Sequence, residues 1–97
     1  MAIDFTPLAA IELDEAMQFY EAQISGLGKQ FIAEFRRTIR YVSIMPYAWR
    51  KVGDHTRRVN IKKFPYLVLY VIDGKNILIT CVAHQHRDPK FYLERTG

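Results

Sequence analysis

The sequence predicts an α+β fold: a short N-terminal strand, an antiparallel helical hairpin packed on a three-to-four-stranded, mainly antiparallel sheet, and a short C-terminal segment. Three observations predict it. Apolar residues recur at helical spacing between Pro7 and Ile24, and again from Phe31 to Val42. After Gly53-Asp54-His55 the period changes to two. Asp73-Gly74, set between two apolar runs, is a hairpin signal, because both residue types tolerate the positive φ that a tight turn needs. A chain of 97 residues is expected to form a single domain, 1–97. At 49% hydrophobic and 25% charged it is too apolar to stay disordered.

Ala2 to Phe5 alternates weakly and reads as a short strand. Thr6-Pro7 follows as an N-cap with proline at the first helical position, where the missing N–H costs nothing. Leu13, Met17, Tyr20 and Ile24 then form an apolar stripe, with Glu12, Asp14, Glu15, Gln18 and Glu21 mostly on the other side. Ser25 to Gly28 breaks the helix, and Gly26 can take the left-handed conformation that ends one. In the second helix Phe31, Phe35, Ile39 and Val42 share a stripe, Arg36, Arg37 and Arg40 lie elsewhere, and Pro46 stops it. So short a turn makes the helices antiparallel neighbours. Phe19, Tyr20, Phe31 and Phe35 are expected in the core, and Trp49 at its edge.

Arg58, Asn60 and Lys62 alternate with Val59, Ile61 and Lys63, as in a strand with one wet face at a sheet edge. Tyr66 to Ile72 is continuously apolar and suits a central strand or one covered on both faces. Ile77 to Ala83 is the next strand. Asp88-Pro89 starts a turn or short helix holding Phe91, Tyr92 and Arg95.

Composition excludes several function classes. The one cysteine, Cys81, cannot form an internal disulfide or furnish a four-cysteine or two-cysteine, two-histidine zinc site; it reads as a small core hydrophobe. No signal peptide or membrane-length apolar run is visible, so a soluble, cytoplasmic protein is expected. Charge is asymmetric. Met1 to Trp49 carries four bases against six acids, net −2, and Arg50 to Gly97 ten bases against four acids, net +6. The basic half is expected to meet nucleic acid or an acidic protein segment, or else to be a solvated face.

The order of elements, together with "FYE" (Phe19–Glu21), "GLGKQF" (Gly26–Phe31), "FPYLVLY" (Phe64–Tyr70) and "VAHQHRDPKFY" (Val82–Tyr92), resembles the ParE/RelE superfamily of toxins from type II toxin–antitoxin systems. The ending is most similar to the ParE-type branch, whose members commonly carry V-A-H-x-x-R-x-P-x-Y-W. Here Phe91 stands where tyrosine is usual and Tyr92 where tryptophan is usual. The resemblance implies a toxin neutralised by a cognate antitoxin, without cofactor or membrane, touching DNA only indirectly through that antitoxin. ParE-like members inhibit DNA gyrase by protein contact. RelE-like members are metal-independent endoribonucleases that cut mRNA in the ribosome. A non-toxic antitoxin-binding relative is a third possibility.

The RelE-like pattern is not kept. Positions that carry cations there fall at Leu67, Asn60 and near Gln85; Arg58 remains. Leucine cannot neutralise a phosphate, and metal-free RNA cleavage needs a base, an acid and cations for the phosphorane charge. A nuclease would have to use His84, Arg87, Tyr92 and Arg58. His84-x-His86 could place two imidazoles on one strand face, but no third ligand is apparent and Cys81 would point to the other face, so no metal is expected. Arg57, Arg58, Lys62 and Lys63 are candidates for antitoxin binding, or else protect the edge strand. Arg87, Pro89, Phe91, Tyr92 and Arg95 have the composition of an interface hot spot and are the candidates for target binding. The same segment could fold back on the sheet with Phe91 inward and Tyr92 and Arg95 outward.

Overall fold

Thr6 opens the first helix as its sequence requires. Its hydroxyl accepts from the Ala9 backbone N–H at 3.2 Å, and Pro7 occupies the first turn. The computed structural model describes residues 2–95; the ends of the expected domain, Met1, Thr96 and Gly97, lie outside the described residues. In order, the elements are β1 (Ile3–Phe5), α1 (Pro7–Gln23), α2 (Leu27–Ile44), β2 (Thr56–Asn60), β3 (Tyr66–Asp73), β4 (Asn76–His84) and α3 (Lys90–Leu93). The sheet order is β1-β4-β3-β2. β1 pairs with β4 in parallel, and the other pairings are antiparallel.

The hairpin turn is clamped by Glu21. Gly26 sits at φ 90°, and its N–H donates to both Glu21 carboxylate oxygens at 2.9 and 3.1 Å. The Gly28 N–H donates to Glu21 Oε1 at 3.0 Å. The carboxylate thus caps α2, whose N-cap glycine has no side chain to do so, and places a negative charge at the positive end of the helix dipole. A Cβ on Gly28 would lie 2.8 Å from the Met17 carbonyl oxygen and 3.0 Å from Glu21 Cβ. Helix propensity alone would make Gly28→Ala stabilising by about 1 kcal/mol. We expect the opposite, a loss of about 2 kcal/mol from overpacking against backbone, measurable by urea denaturation.

α1 and α2 cover one face of the sheet. Phe31, Phe35, Ile39 and Val42 are all buried, as their spacing predicted, and pack with Val59, Ile61, Val68, Tyr70, Ile77, Ile79 and Val82. Tyr20, Phe31, Phe64 and Tyr66 form an aromatic cluster. α1 lies close to the sheet because its fully buried residues are the small Ala9 and Ala16. Two expectations fail here. Phe19 is 55% exposed and Ile24 is exposed, since neither turns onto the face that carries the two alanines.

The other face has its own small cluster: Leu67, Leu69, Cys81, Ala83 and Tyr92, with Val52 packed against it. β3 is therefore covered on both sides, as its unbroken apolar run predicted. A bulge in β4 divides the strand between the two clusters. Leu69 pairs with Cys81 and Tyr70 with Ile79, so Thr80 has no partner residue on β3. One extra residue inverts the alternation beyond it. Ile77 and Ile79 face the helices before the bulge, Val82 faces them after it, and Cys81 and Ala83 turn to the far side.

β2 is an edge strand, as expected, but it ends at Asn60 rather than running to Lys63. Ile61 turns into the core, and Lys63 adopts φ 71°, in the left-handed region. The preceding connection partly covers the edge: Arg58 N–H donates to Arg50 O at 3.0 Å and Val52 N–H to Thr56 O at 2.9 Å.

Candidate partner-binding site

A groove of about 420 Å³ runs between the outer face of α1 and the region where β4 leads into α3. Leu8, Ile11 and Phe19 come from α1, Tyr66 from β3, His84 from β4, and Arg87 and Phe91 from the C-terminal segment. Leu8, Ile11, Phe19 and Phe91 are exposed, so the groove carries an apolar surface of the kind that marks protein contact. The Arg87 guanidinium lies 3.6 Å from the Phe91 ring centroid, and Arg95 5.2 Å from it. Two cations over one ring hold it in place while leaving it 40% exposed.

The short α3 is held down by groups the sequence placed outside. Tyr92 is 7% exposed and packs into the far-side cluster, while Phe91 faces the groove; the expected orientation is reversed. Arg95 is not a free surface cation either. Its Nη1 and Nη2 donate to Glu12 Oε1 and Oε2, both at 2.8 Å, and Nη1 also donates to Thr80 O at 3.1 Å. Glu12 Oε1 in turn accepts from the Val82 N–H at 3.1 Å. This pair satisfies the outer edge of β4 where β1, which pairs only as far as Ile79, no longer covers it. Hydrogen bonding to Glu12 raises the Arg95 pKa further. Of the five target-binding candidates, Arg87, Pro89 and Phe91 are exposed, whereas Tyr92 and Arg95 anchor the segment that presents them.

The four nuclease candidates are not all brought together: His84 and Arg87 share the groove, whereas Arg58 and Tyr92 lie elsewhere. His84 pairs with Tyr66 across the strands and stacks edge-on against its ring at 5.3 Å, on the helix side. Its Nδ1 accepts from the His86 N–H at 3.1 Å, so that nitrogen is occupied by backbone. Arg58 pairs with Leu69 and so faces the opposite side, where Tyr92 packs. The sheet separates Arg58 and Tyr92 from His84. Position 67, one of those the resemblance marked for cations, falls on that far face, which Leu67, Leu69, Cys81 and Ala83 make apolar. Asn60, paired with Leu67, accepts from Arg58 Nε at 3.3 Å. Among the described residues no group of three histidine, cysteine, aspartate or glutamate side chains could hold a metal ion, and no helix is long and apolar enough to cross a membrane.

Burial pushes the Cys81 thiol up to about 12, with Glu12 adding to the shift, and the Tyr70 hydroxyl also to about 12. Burial also raises the Tyr66 hydroxyl, with Arg87 opposing, so none of these three groups is poised as a nucleophile or base near neutral pH. The folded pKa values of Cys81 and Tyr70 both lie above the ordinary ones, so their stabilising contribution is complete below about pH 9 and is lost as pH rises towards 12. We expect thermal unfolding scans to show Tm falling steadily across that window. Cys81 should resist thiol reagents in the native state at pH 8 and react once unfolded.

The four antitoxin-binding candidates do not form one strip. Arg57 pairs with Tyr70 and lies on the helix side, where its Nη1 donates to Trp49 O at 2.6 Å and Tyr47 O at 3.2 Å. Arg58 faces the far side, and Lys62 and Lys63 are exposed in the turn beyond β2. A surface the sequence reasoning missed lies at the end of α2. Tyr41, Ile44, Met45 and Tyr47 are all exposed, with Arg37 and Arg40 on the same helical face as Tyr41 and Ile44, and Arg57 5.3 Å from the Tyr47 ring. The available signal was apolar residues falling beside, rather than on, the stripe ending at Val42.

Residues 3–89 match the family described as "ParE toxin of type II toxin-antitoxin system, parDE". The chain belongs to the ParE toxin family. No curated protein matches it. Among solved structures, this ParE-family toxin is similar to a chain of the chromosomal ParDE toxin–antitoxin system from P. aeruginosa: TM-score 0.74, 16% identity, covering 87% of this chain and 95% of that one. It is also similar to a mutant of the E. coli toxin RelE in complex with an antitoxin RelBc peptide, with TM-score 0.65, 16% identity and coverage of 99% and 94%. The isolated E. coli RelE toxin is more distant, at TM-score 0.53 with 16% identity and coverage of 97% and 94%. The ParE-family toxin thus has the fold the sequence predicted, with β1 adding a parallel edge to an otherwise antiparallel sheet.

Proposed function

We propose that this ParE-family toxin inhibits DNA gyrase by protein–protein contact through the α1–β4–α3 groove, with Arg87, Pro89 and Phe91 as the central contact. The observation that carries this reading is the division of the nuclease candidates between two faces of the sheet, with apolar side chains where phosphate-neutralising cations would be needed. What remains exposed is a groove with an apolar α1 wall, acidic Glu12 and Glu15 beside it, and an arginine-backed aromatic ring at its end, which suits a macromolecular surface better than an RNA phosphate. A cognate antitoxin neutralises the toxin. Its acidic, amphipathic part fits the cationic and apolar surface at the end of α2, together with Arg58, Lys62 and Lys63. The target places the action in the cytoplasm.

The test is supercoiling by the host's own gyrase. Purified toxin should block it or trap cleaved DNA, and addition of the antitoxin should restore it. Full activity at saturating toxin would sink the reading. Toeprinting on translating ribosomes distinguishes the RelE-like alternative, in which A-site cuts appear and are abolished by His84→Ala. Normal growth on induction without antitoxin would instead identify a non-toxic antitoxin-binding relative.

A further inference from the structure

Among the described residues two buried side-chain atoms have no hydrogen-bond partner, Glu34 Oε2 and Trp49 Nε1. They belong to different elements, one to α2 and one to the connection before β2, yet both side chains line the same small cavity of about 30 Å³. The Glu34 side chain is only 7% exposed. A buried donor or acceptor left unmade costs its desolvation with no return, so two such atoms on residues that line one cavity call for a common occupant.

We propose that this cavity binds a single ordered water, which donates to Glu34 Oε2 and accepts from the Trp49 indole N–H. The chemistry of the two atoms selects the ligand. The occupant must both donate and accept, which excludes a metal or ammonium cation at the indole and a simple anion at the carboxylate. The negative charge of Glu34 is already met at Oε1, by Arg37 Nη1 at 3.2 Å and Lys63 Nζ at 3.5 Å, so no further cation is needed. The size agrees: the cavity exceeds the roughly 10–15 Å³ that one water requires. Thr38 lines the same cavity, and its hydroxyl donates to the Glu34 backbone carbonyl at 2.9 Å, which leaves its lone pairs able to accept the second water hydrogen. Three partners is the usual number for a buried water.

The bridge ties α2 to the connection that carries Met45 and Tyr47, alongside the bonds from Arg57 to Tyr47 O and Trp49 O. It therefore helps to fix the exposed surface at the end of α2. This inference does not depend on the target of the toxin.

Nuclear magnetic resonance on the ¹⁵N-labelled wild-type chain tests it directly. The Trp49 indole N–H should show a rotating-frame Overhauser cross-peak to water, of opposite sign to chemical exchange. A high-resolution crystal structure should place one density peak within about 3.2 Å of both atoms. In Trp49→Phe, which keeps a ring but removes the donor, that peak should weaken or vanish. An indole N–H without the cross-peak, or one that donates straight to Glu34 across a closed cavity, would overturn the proposal. So would a peak at full occupancy in Trp49→Phe.

Discussion

Glu12→Ala will destabilise this toxin by about 3 kcal/mol, because it breaks a mostly buried, bidentate ion pair and strands both remaining partners. The Glu12 and Arg95 side chains are only 10% and 19% exposed, so solvent screens them weakly. Removing Glu12 leaves the Arg95 guanidinium without its counter-charge and the Val82 N–H without an acceptor. Single domains have only about 5–15 kcal/mol of stability in total, so the loss is a large share. Urea denaturation of Glu12→Ala, Arg95→Ala and the double variant forms the check. A coupling of about 1–3 kcal/mol is expected between the two positions. Strict additivity would show that the pair does not hold α3 down. Since Arg95 also backs the Phe91 ring, target binding should weaken in both single variants.

The second large effect concerns binding rather than stability. On the proposed gyrase target, Arg87→Glu combined with Phe91→Ala should weaken binding by about 100-fold, the scale of losing two central anchors in an interface. Both residues are exposed, so Tm should move little, and the loss would report contact rather than unfolding. Titration of supercoiling inhibition against toxin concentration measures it. Inhibition unchanged in the double variant, with gyrase still the target, would move the contact away from the groove. Leu8→Asp, on the α1 wall of the same groove, should act in the same direction without touching the C-terminal segment.

Much of the fold is legible because local chemistry and global packing agree. Thr6-Pro7 starts a helix in any context that lets it form. Gly26 supplies the left-handed residue of the hairpin turn, Pro46 ends α2, and Gly74 turns β3 into β4 at φ 61°. The α2 stripe is clean enough to name its buried apolar residues, Phe31, Phe35, Ile39 and Val42, though not the buried Gly28, Glu34 and Thr38 beside them. Legibility fails where neighbouring residues have the same chemistry. From Ile77 to Ala83 nearly every residue is apolar, so nothing local marks Thr80 as the bulge that exchanges the two faces. Phe91 and Tyr92 are adjacent aromatics on a four-residue helix, too short for any period to say which one turns inward. α1 carries apolar side chains around much of its circumference. Only contact with the sheet distinguishes buried Ala16 from exposed Phe19.

The candidate site divides along the same line. Residue types and their order along the chain were enough to set the α+β class, the helical hairpin, the family resemblance and the absence of the RelE-like cations, because each rests on propensity or on which side chain is present. The arrangement of the site depends on long-range pairing. Glu12 and Arg95 are 83 residues apart in the chain and meet at 2.8 Å. Arg57 and Arg58 are adjacent yet lie on opposite faces of a strand. Glu34 and Trp49 share a cavity through the packing of α2 on its own connection. Such contacts come from burying two faces of one sheet at once, a condition that acts on the whole chain and leaves no local trace.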